Sequence, residues 1–519
     1  MRKILASSML IWLAVAVSSA QTAQQQPDKD STAAGTKAAS DTASKEQSSV
    51  TEHSVRIGGQ VIQYKATAAT MTLKDDKGES TASLFYVAYT RNDVDDTSRR
   101  PIAFLYNGGP GSSSVWLHMG AFGPRRVATI DAAATPPSPY KLIDNQNCLL
   151  DAADLVFLDP VGTGFSHAVG KAGDKDFWGV DQDARSLAQA IRIYLSRNRR
   201  WNSPKFLIGE SYGTFRSAVL ANYLQSGGDG IDLNGIVMLS TVLNLGKLSF
   251  RPGEDLPYIL HLPSFAAAAW YHKAVKDRPP DLKTFMEEAR RFAVTEYATA
   301  LLKGSRLEAP EKADIAKKIA RFTGLSEDYI VRANLRVMPY QFEKEFLRNK
   351  GLIVGGYDAR FTGASNSLLS EFAEYDPSFT GLGGAFTTAF NKYVREDLRF
   401  DSDRDYVILG RQVSGNWDYK RNVAAGIGFP GSPNVEADLA QAMIANPHLR
   451  VQVHIGIYDL VTPFLEVEHT VDHLGLPDNL RNHIQLEYYE AGHMMYSHDE
   501  DQARLKANVA AFIESGSRP

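Results

Sequence analysis

At 519 residues, 44% of them hydrophobic, the chain can bury one large core and still carry an elaborate insertion. A net charge of −4, a pI near 6.3 and the lack of any dense basic run exclude an electrostatic case for nucleic acid or an anionic membrane as partner. Cys148 is the single cysteine, which excludes an intrachain disulfide, and no Cys/His cluster has zinc spacing, so neither metal nor cofactor is expected.

In chain order, Arg2 and Lys3 precede an apolar run over residues 4–17, and Ser18-Ser19-Ala20 offers small residues for cleavage. Residues 1–20 therefore read as a secretory signal peptide, which makes the protein exported, either periplasmic or secreted, with no membrane attachment after cleavage. Residues 21–52, rich in Gln, Ser, Thr, Ala, Lys and Asp, are expected to be a disordered spacer. From residue 53 alternation appears in Val55/Ile57 and Val61/Ile62/Tyr64, and Asp75-Asp76-Lys77-Gly78 supplies a hairpin turn, so the sheet starts antiparallel. Cys148, before Leu149-Leu150, reads as a small packing residue.

Apolar runs at 102–106, 155–158, 206–208, 236–239, 451–455 and 484–488 then alternate with loops and helices. That rhythm predicts an α/β class, with a mixed, mostly parallel sheet covered by helices on both faces. Val180, Ala184, Leu187, Ile191 and Leu195 mark an amphipathic helix inside it. Residues 245–414 break the rhythm with helical stretches at 282–302 and 313–322, and are expected to form a largely helical cap over the ligand crevice. The core is then split into residues 53–244 and 415–519.

Gly209-Glu210-Ser211-Tyr212-Gly213 reads G-x-S-x-G between a short apolar strand and a helix kept slim by Ser217, Ala218 and Ala221. A turn this sharp lifts the Ser211 hydroxyl out of the sheet as a nucleophile elbow. Such a nucleophile needs a base, and the base needs an acid, in the chain order Ser, acid, His. Asp459 follows the strand at 451–455 and His493 follows the strand at 484–488, both just past strand C-termini. Asp472 competes with Asp459, and His118, His454, His469, His473, His483 and His498 compete with His493, which alone follows a glycine in the run Ala491-Gly492-His493. The glycine run Asn107-Gly108-Gly109-Pro110-Gly111, directly after a strand, can turn backbone N–H groups toward an oxyanion, with Gly109 and Tyr212 as the expected donors.

Asn107-Gly108-Gly109-Pro110-Gly111-Ser112-Ser113, Leu158-Asp159-Pro160-Val161-Gly162-Thr163-Gly164-Phe165-Ser166, Gly209-Glu210-Ser211-Tyr212-Gly213 and Ala491-Gly492-His493-Met494 occur together in this order. In this the chain closely resembles the serine carboxypeptidase family of α/β-hydrolases. The resemblance implies hydrolysis of the last peptide bond of a peptide or other small acyl substrate, with Ser211, Asp459 and His493 as triad. It also implies that Asn107, Gly108 and Glu210 grip the substrate's terminal carboxylate, Glu210 doing so while protonated. Leu105 and Ser112 stand where the family has tryptophan and cysteine. The family's second acid, which shares a proton with the glutamate, falls near Ala121, so Glu210 is expected to ionise more readily here. An esterase or acyltransferase on the same fold is the alternative reading, and a binding protein with a spent site is a third. In Gly355-Gly356-Tyr357-Asp358-Ala359-Arg360-Phe361 the charged pair reads as a local ion pair on a solvated face.

Overall fold

Alternating burial in the first described strands builds an antiparallel meander of β1 (Ser48–Ile57), β2 (Gln60–Lys74) and β3 (Ser80–Arg91). The structure, a computed structural model, describes residues 45–226, 230–421 and 433–518, so the expected signal peptide and most of the expected spacer lie outside the described residues. The end of that spacer is corrected, because residues 48–52 form the first half of β1, paired with residues 65–69 of β2. Composition misled there: an edge strand is held by backbone bonds to its neighbour and needs few apolar side chains.

The six apolar runs become β4 (Ile102–Tyr106), β5 (Asp154–Leu158), β6 (Lys205–Glu210), β7 (Gly235–Leu239), β8 (Arg450–Gly456) and β9 (Ile484–Tyr489). The main sheet runs β1-β2-β3-β5-β4-β6-β7-β8-β9, antiparallel as far as the β3–β5 pair and parallel from β5 to β9, with the short pair His167–Ala168 added to β3. Both faces are covered, as a continuous apolar run requires. On β4, Ile102, Phe104 and Tyr106 enter one core with α1 (Val180–Arg197) and α2 (Tyr212–Ser226), while Ala103 and Leu105 enter the other with the helix Asp499–Gly516. This is the α/β-hydrolase architecture that the motifs imply. Among the described residues no helix is long and apolar enough to cross a membrane.

The insertion between β7 and β8 is largely helical, and its helices join both cores. The helices Leu256–Tyr271, Leu282–Phe292 and Ala309–Thr323 pack in the first core, whereas Phe386, Phe390 and Tyr393 of the helix Pro377–Glu396 belong to the opposite face of the sheet. The chain returns through the helix Glu436–Ala445, which is tied to α2 by Asn222 on Asp438 and Gln225 on the Ala442 carbonyl. Pro263 inside the helix Leu256–Tyr271, and Gly383 and Gly384 inside Pro377–Glu396, hid both helices from a reading by pattern.

Candidate active site

Ser211 is the single residue between β6 and α2, and its φ is +58°. A left-handed serine costs roughly 1–3 kcal/mol and persists only where its surroundings impose it. Here they do. A Cβ on Gly209 would lie 2.4 Å from the Gly213 carbonyl oxygen, and one on Gly213 would lie 2.9 Å from that of Tyr106, so neither flank tolerates a side chain. Ser217 bonds the Gly213 carbonyl and the Tyr106 hydroxyl, and Ala218 and Ala221 are fully buried, which lets α2 sit close to the sheet. Ser211 opens on a cavity of about 590 Å³ lined by Phe250, Tyr340, Glu343, Tyr357, Phe372 and Thr462 among others. A larger hollow of about 800 Å³ lies beside the β2–β3 turn and α1, lined by charged side chains such as Lys77 and Arg185 and away from Ser211.

The Ser211 N–H donates to the Leu239 carbonyl at 2.9 Å, and the next residue, Ser240, donates its hydroxyl to the His493 carbonyl at 2.6 Å. The ends of β6 and β7 thereby hold the loop that carries His493. His493 Nδ1 lies 2.7 Å from Asp459 Oδ2. Asp459 is fully enclosed, and its Oδ1 accepts the N–H groups of Val461 and Thr462 at 2.8 and 2.9 Å while the Thr462 hydroxyl donates to Oδ2 at 2.5 Å. Burial opposes a charged imidazole, but the Asp459 carboxylate outweighs it, with Glu210 and Asp376 adding, so the His493 pKa stands above its ordinary value. His493 Nε2 is buried and hydrogen-bonds to no described residue, Ser211 included.

Four of the competing histidines make contacts elsewhere. His454, inside β8, bonds Tyr489 and Gln452, His118 is stacked on Phe157 in the core, and His469 and His473 stack on each other.

The glycine run meets the elbow. A Cβ on Gly108 would come within 2.4 Å of the Tyr212 nitrogen, so the two backbones touch there. Among the described residues neither the Gly109 nor the Tyr212 N–H donates to a protein acceptor. Asn107 Oδ1 accepts the Leu117 N–H, and its carbonyl accepts from Arg216 of α2. Arg216 is fully buried and pairs with Asp183 of α1 at 2.5 Å. Arg216→Met leaves Asp183 buried without its cation, and is expected to cost about 3–5 kcal/mol in denaturant unfolding. Adding Asp183→Leu should recover most of that loss, since a packed apolar pair is close to neutral.

Glu210 is enclosed at the end of β6, where Tyr496 donates to its Oε2 at 2.8 Å and the Asn107 amide is also in reach. Burial raises its pKa to about 7, against the lowering pull of His493, Tyr496 and Asn107. Loss of a partner acid at Ala121 does not return Glu210 to an ordinary carboxylate, because desolvation dominates.

Sequence reasoning also missed what residues 355–361 do. Asp358 and Arg360 form a buried pair at 2.7 Å, with Arg360 reaching Asp131 at 3.1 Å, rather than a pair on a solvated face. The segment clamps both candidate loops. The Tyr357 carbonyl accepts the His493 N–H at 2.6 Å, Asp358 accepts the Gly492 N–H at 3.2 Å, and the Gly356 carbonyl accepts the Leu460 N–H at 2.9 Å. Asp376 in turn holds the N–H groups of Gly356 and Tyr357. Gly492 is required, since a Cβ there would lie 2.3 Å from the Tyr357 oxygen. Glu343, beside Gly356 in the cavity wall, is pushed up to about 8 by burial with Asp376 nearby. Only the paired glycines at 355–356 signalled any of this.

Comparison with known proteins supports the resemblance. Residues 63–249 match the family model described as serine carboxypeptidase. The pheromone-processing carboxypeptidase KEX1 of Saccharomyces cerevisiae is 29% identical over 194 residues, 34% of this chain and 25% of that protein. Serine carboxypeptidase-like 29 of Arabidopsis thaliana is 28% identical over 172 residues, 32% of this chain and 33% of that protein. The matched stretch thus spans a quarter to a third of these curated relatives. In three dimensions, the crystal structure of a prohormone-processing carboxypeptidase from Saccharomyces cerevisiae aligns with a TM-score of 0.54 at 18% identity, covering 86% of this chain and 91% of that one. The family match contains the glycine run and Ser211 but ends before Asp459 and His493, which the fold brings together with each other.

Proposed function

We propose that the chain is an exported serine hydrolase of carboxypeptidase type, releasing C-terminal residues from peptides through an acyl-enzyme. The observation that carries this reading is the buried Asp459–His493 pair, whose outer nitrogen Nε2 bonds no described residue, in a fold that also holds Ser211 at φ +58° in the G-x-S-x-G turn. In the proposed reaction His493 Nε2 takes the Ser211 hydroxyl proton as Oγ attacks the carbonyl carbon of the last peptide bond. The N–H groups of Gly109 and Tyr212 hold the oxyanion. His493 then gives its proton to the departing amine as the C–N bond breaks. Water, deprotonated by His493, cleaves the acyl-enzyme and restores Ser211. Asn107, Gly108 and protonated Glu210 receive the terminal carboxylate. Export rests on the N-terminal pattern of Arg2, Lys3 and the apolar run that follows.

The test is turnover of one peptide as its free acid, its amide and its ester, across pH, together with fluorophosphonate labelling. Below about pH 7 Glu210 is protonated and donates to a carboxylate, whereas above it the ionised form repels one, so the preference for the free acid should fade as pH rises through 7. His493 must be neutral to accept a proton, so its raised pKa sets the acid limb for all three substrates. Faster turnover of amides and esters at every pH would favour the esterase or acyltransferase reading, which Ala121 in place of a second acid recommends. A protein that takes no label would be a binding protein.

A further inference from the structure

Tyr496 sits on the short turn Met495–Ser497, directly after the loop that carries His493, and its hydroxyl is enclosed and bonded to Glu210 Oε2. Its ring lies over Gly120, where an added Cβ would fall 2.6 Å from Cε2. That places the phenol against the segment containing Ala121, the position at which the resemblance calls for a second acid. A phenol and one carboxyl thus meet where the resemblance implies two acids.

The exchange alters the chemistry of the grip. Two carboxyls share one proton and titrate as a unit, so the pair holds a proton to high pH. A phenol in this position keeps its proton to donate, because burial and the neighbouring Glu210 push its own pKa well above the ordinary value. Its bond favours the ionised form of Glu210. It also selects an oxygen. With Oε2 accepting from Tyr496, the proton of neutral Glu210 resides on Oε1. The other groups acting on this carboxyl are His493 and Asp459, on the loops after β9 and β8, and Asn107 after β4.

We propose that Tyr496 is a positioning residue for substrate recognition: by donating to Glu210 Oε2 it aims a protonated Oε1 at the terminal carboxylate of a peptide, and confines that grip to the pH range in which Glu210 keeps its proton. This rests on the reading of the site as a C-terminal peptidase. Tyr496→Phe, in the full chain, removes one oxygen and with it a bond that favours ionised Glu210. The alkaline limb of kcat/KM for the free-acid peptide should therefore move up by about one pH unit, carried by KM. The amide of the same peptide should show no corresponding shift. Gly120→Ala, which pushes the ring aside without removing the hydroxyl, should move the limb in the same direction and by less. A limb that stays in place in both variants, or that moves equally for the amide, overturns the proposal. Infrared titration of the Glu210 carboxyl band, assigned by its loss in Glu210→Gln, separates the two readings. If no preference for the free acid exists at any pH the peptidase reading fails, and with it the grip, while an unmoved carboxyl midpoint in Tyr496→Phe overturns the link between Tyr496 and Glu210 by itself.

Discussion

Replacing Ser211 by alanine is expected to lower turnover of the preferred substrate by roughly 10⁴- to 10⁶-fold and to abolish fluorophosphonate labelling. Three neighbouring hydroxyls are already committed to other bonds. Ser240 spends its hydroxyl on the His493 carbonyl and Thr462 spends its own on Asp459. Thr214, one turn along α2, donates to the Ser211 carbonyl. Folding should be almost unaffected, with stability within about 1 kcal/mol of the parent, since the left-handed turn is imposed by Gly209, Gly213 and the close approach of α2 whatever small residue stands at 211. Measured kcat, labelling and a denaturant curve together distinguish loss of a nucleophile from loss of the fold. A variant that still turned over within about tenfold of the parent would refute Ser211 as nucleophile.

What could be read from the sequence follows the range of the interactions. The elbow and the strands β4 to β9 depend on glycine spacing and apolar runs a few residues long, and those are visible locally. Asp459 and His493 could be proposed because each follows a strand that ends at the same edge as the elbow, with Asp472 a nearby competitor. Tyr496, Tyr357 and Asp376 could not be found in this way. Their roles arise where three loops land on one another, and nothing in Met494-Met495-Tyr496 announces that a phenol will reach Glu210, which lies 286 residues earlier in the chain. The raised pKa of Glu210 was out of reach for a related reason: a missing partner acid is visible in sequence, whereas the enclosure of Glu210 is not. Asp358 and Arg360 carry the same lesson, since two charges one residue apart look solvated until the fold buries both.

Asp459→Asn is the sharper test of the proposed chemistry, because it removes a charge while keeping the shape. The direction in which the new amide must face follows from the bonds around it. Oδ1 accepts two backbone N–H groups, from Val461 and Thr462, and those donors cannot turn away. The asparagine oxygen therefore takes the Oδ1 position and its NH₂ takes the Oδ2 position, facing His493 Nδ1 at what was a 2.7 Å contact. An NH₂ group donates, so Nδ1 must become the acceptor and the ring proton moves to Nε2, the nitrogen meant to receive the proton of Ser211. Turnover should fall by about 10⁴-fold at neutral pH with KM little changed. The raised pKa of His493 should also drop, because its principal cause is gone while the burial that opposes the charged ring remains. An NMR titration of the imidazole would then show a lower midpoint than in the parent. Should Asp459→Asn retain activity within about tenfold, with the midpoint unmoved, the acid that orients His493 would have to be sought elsewhere.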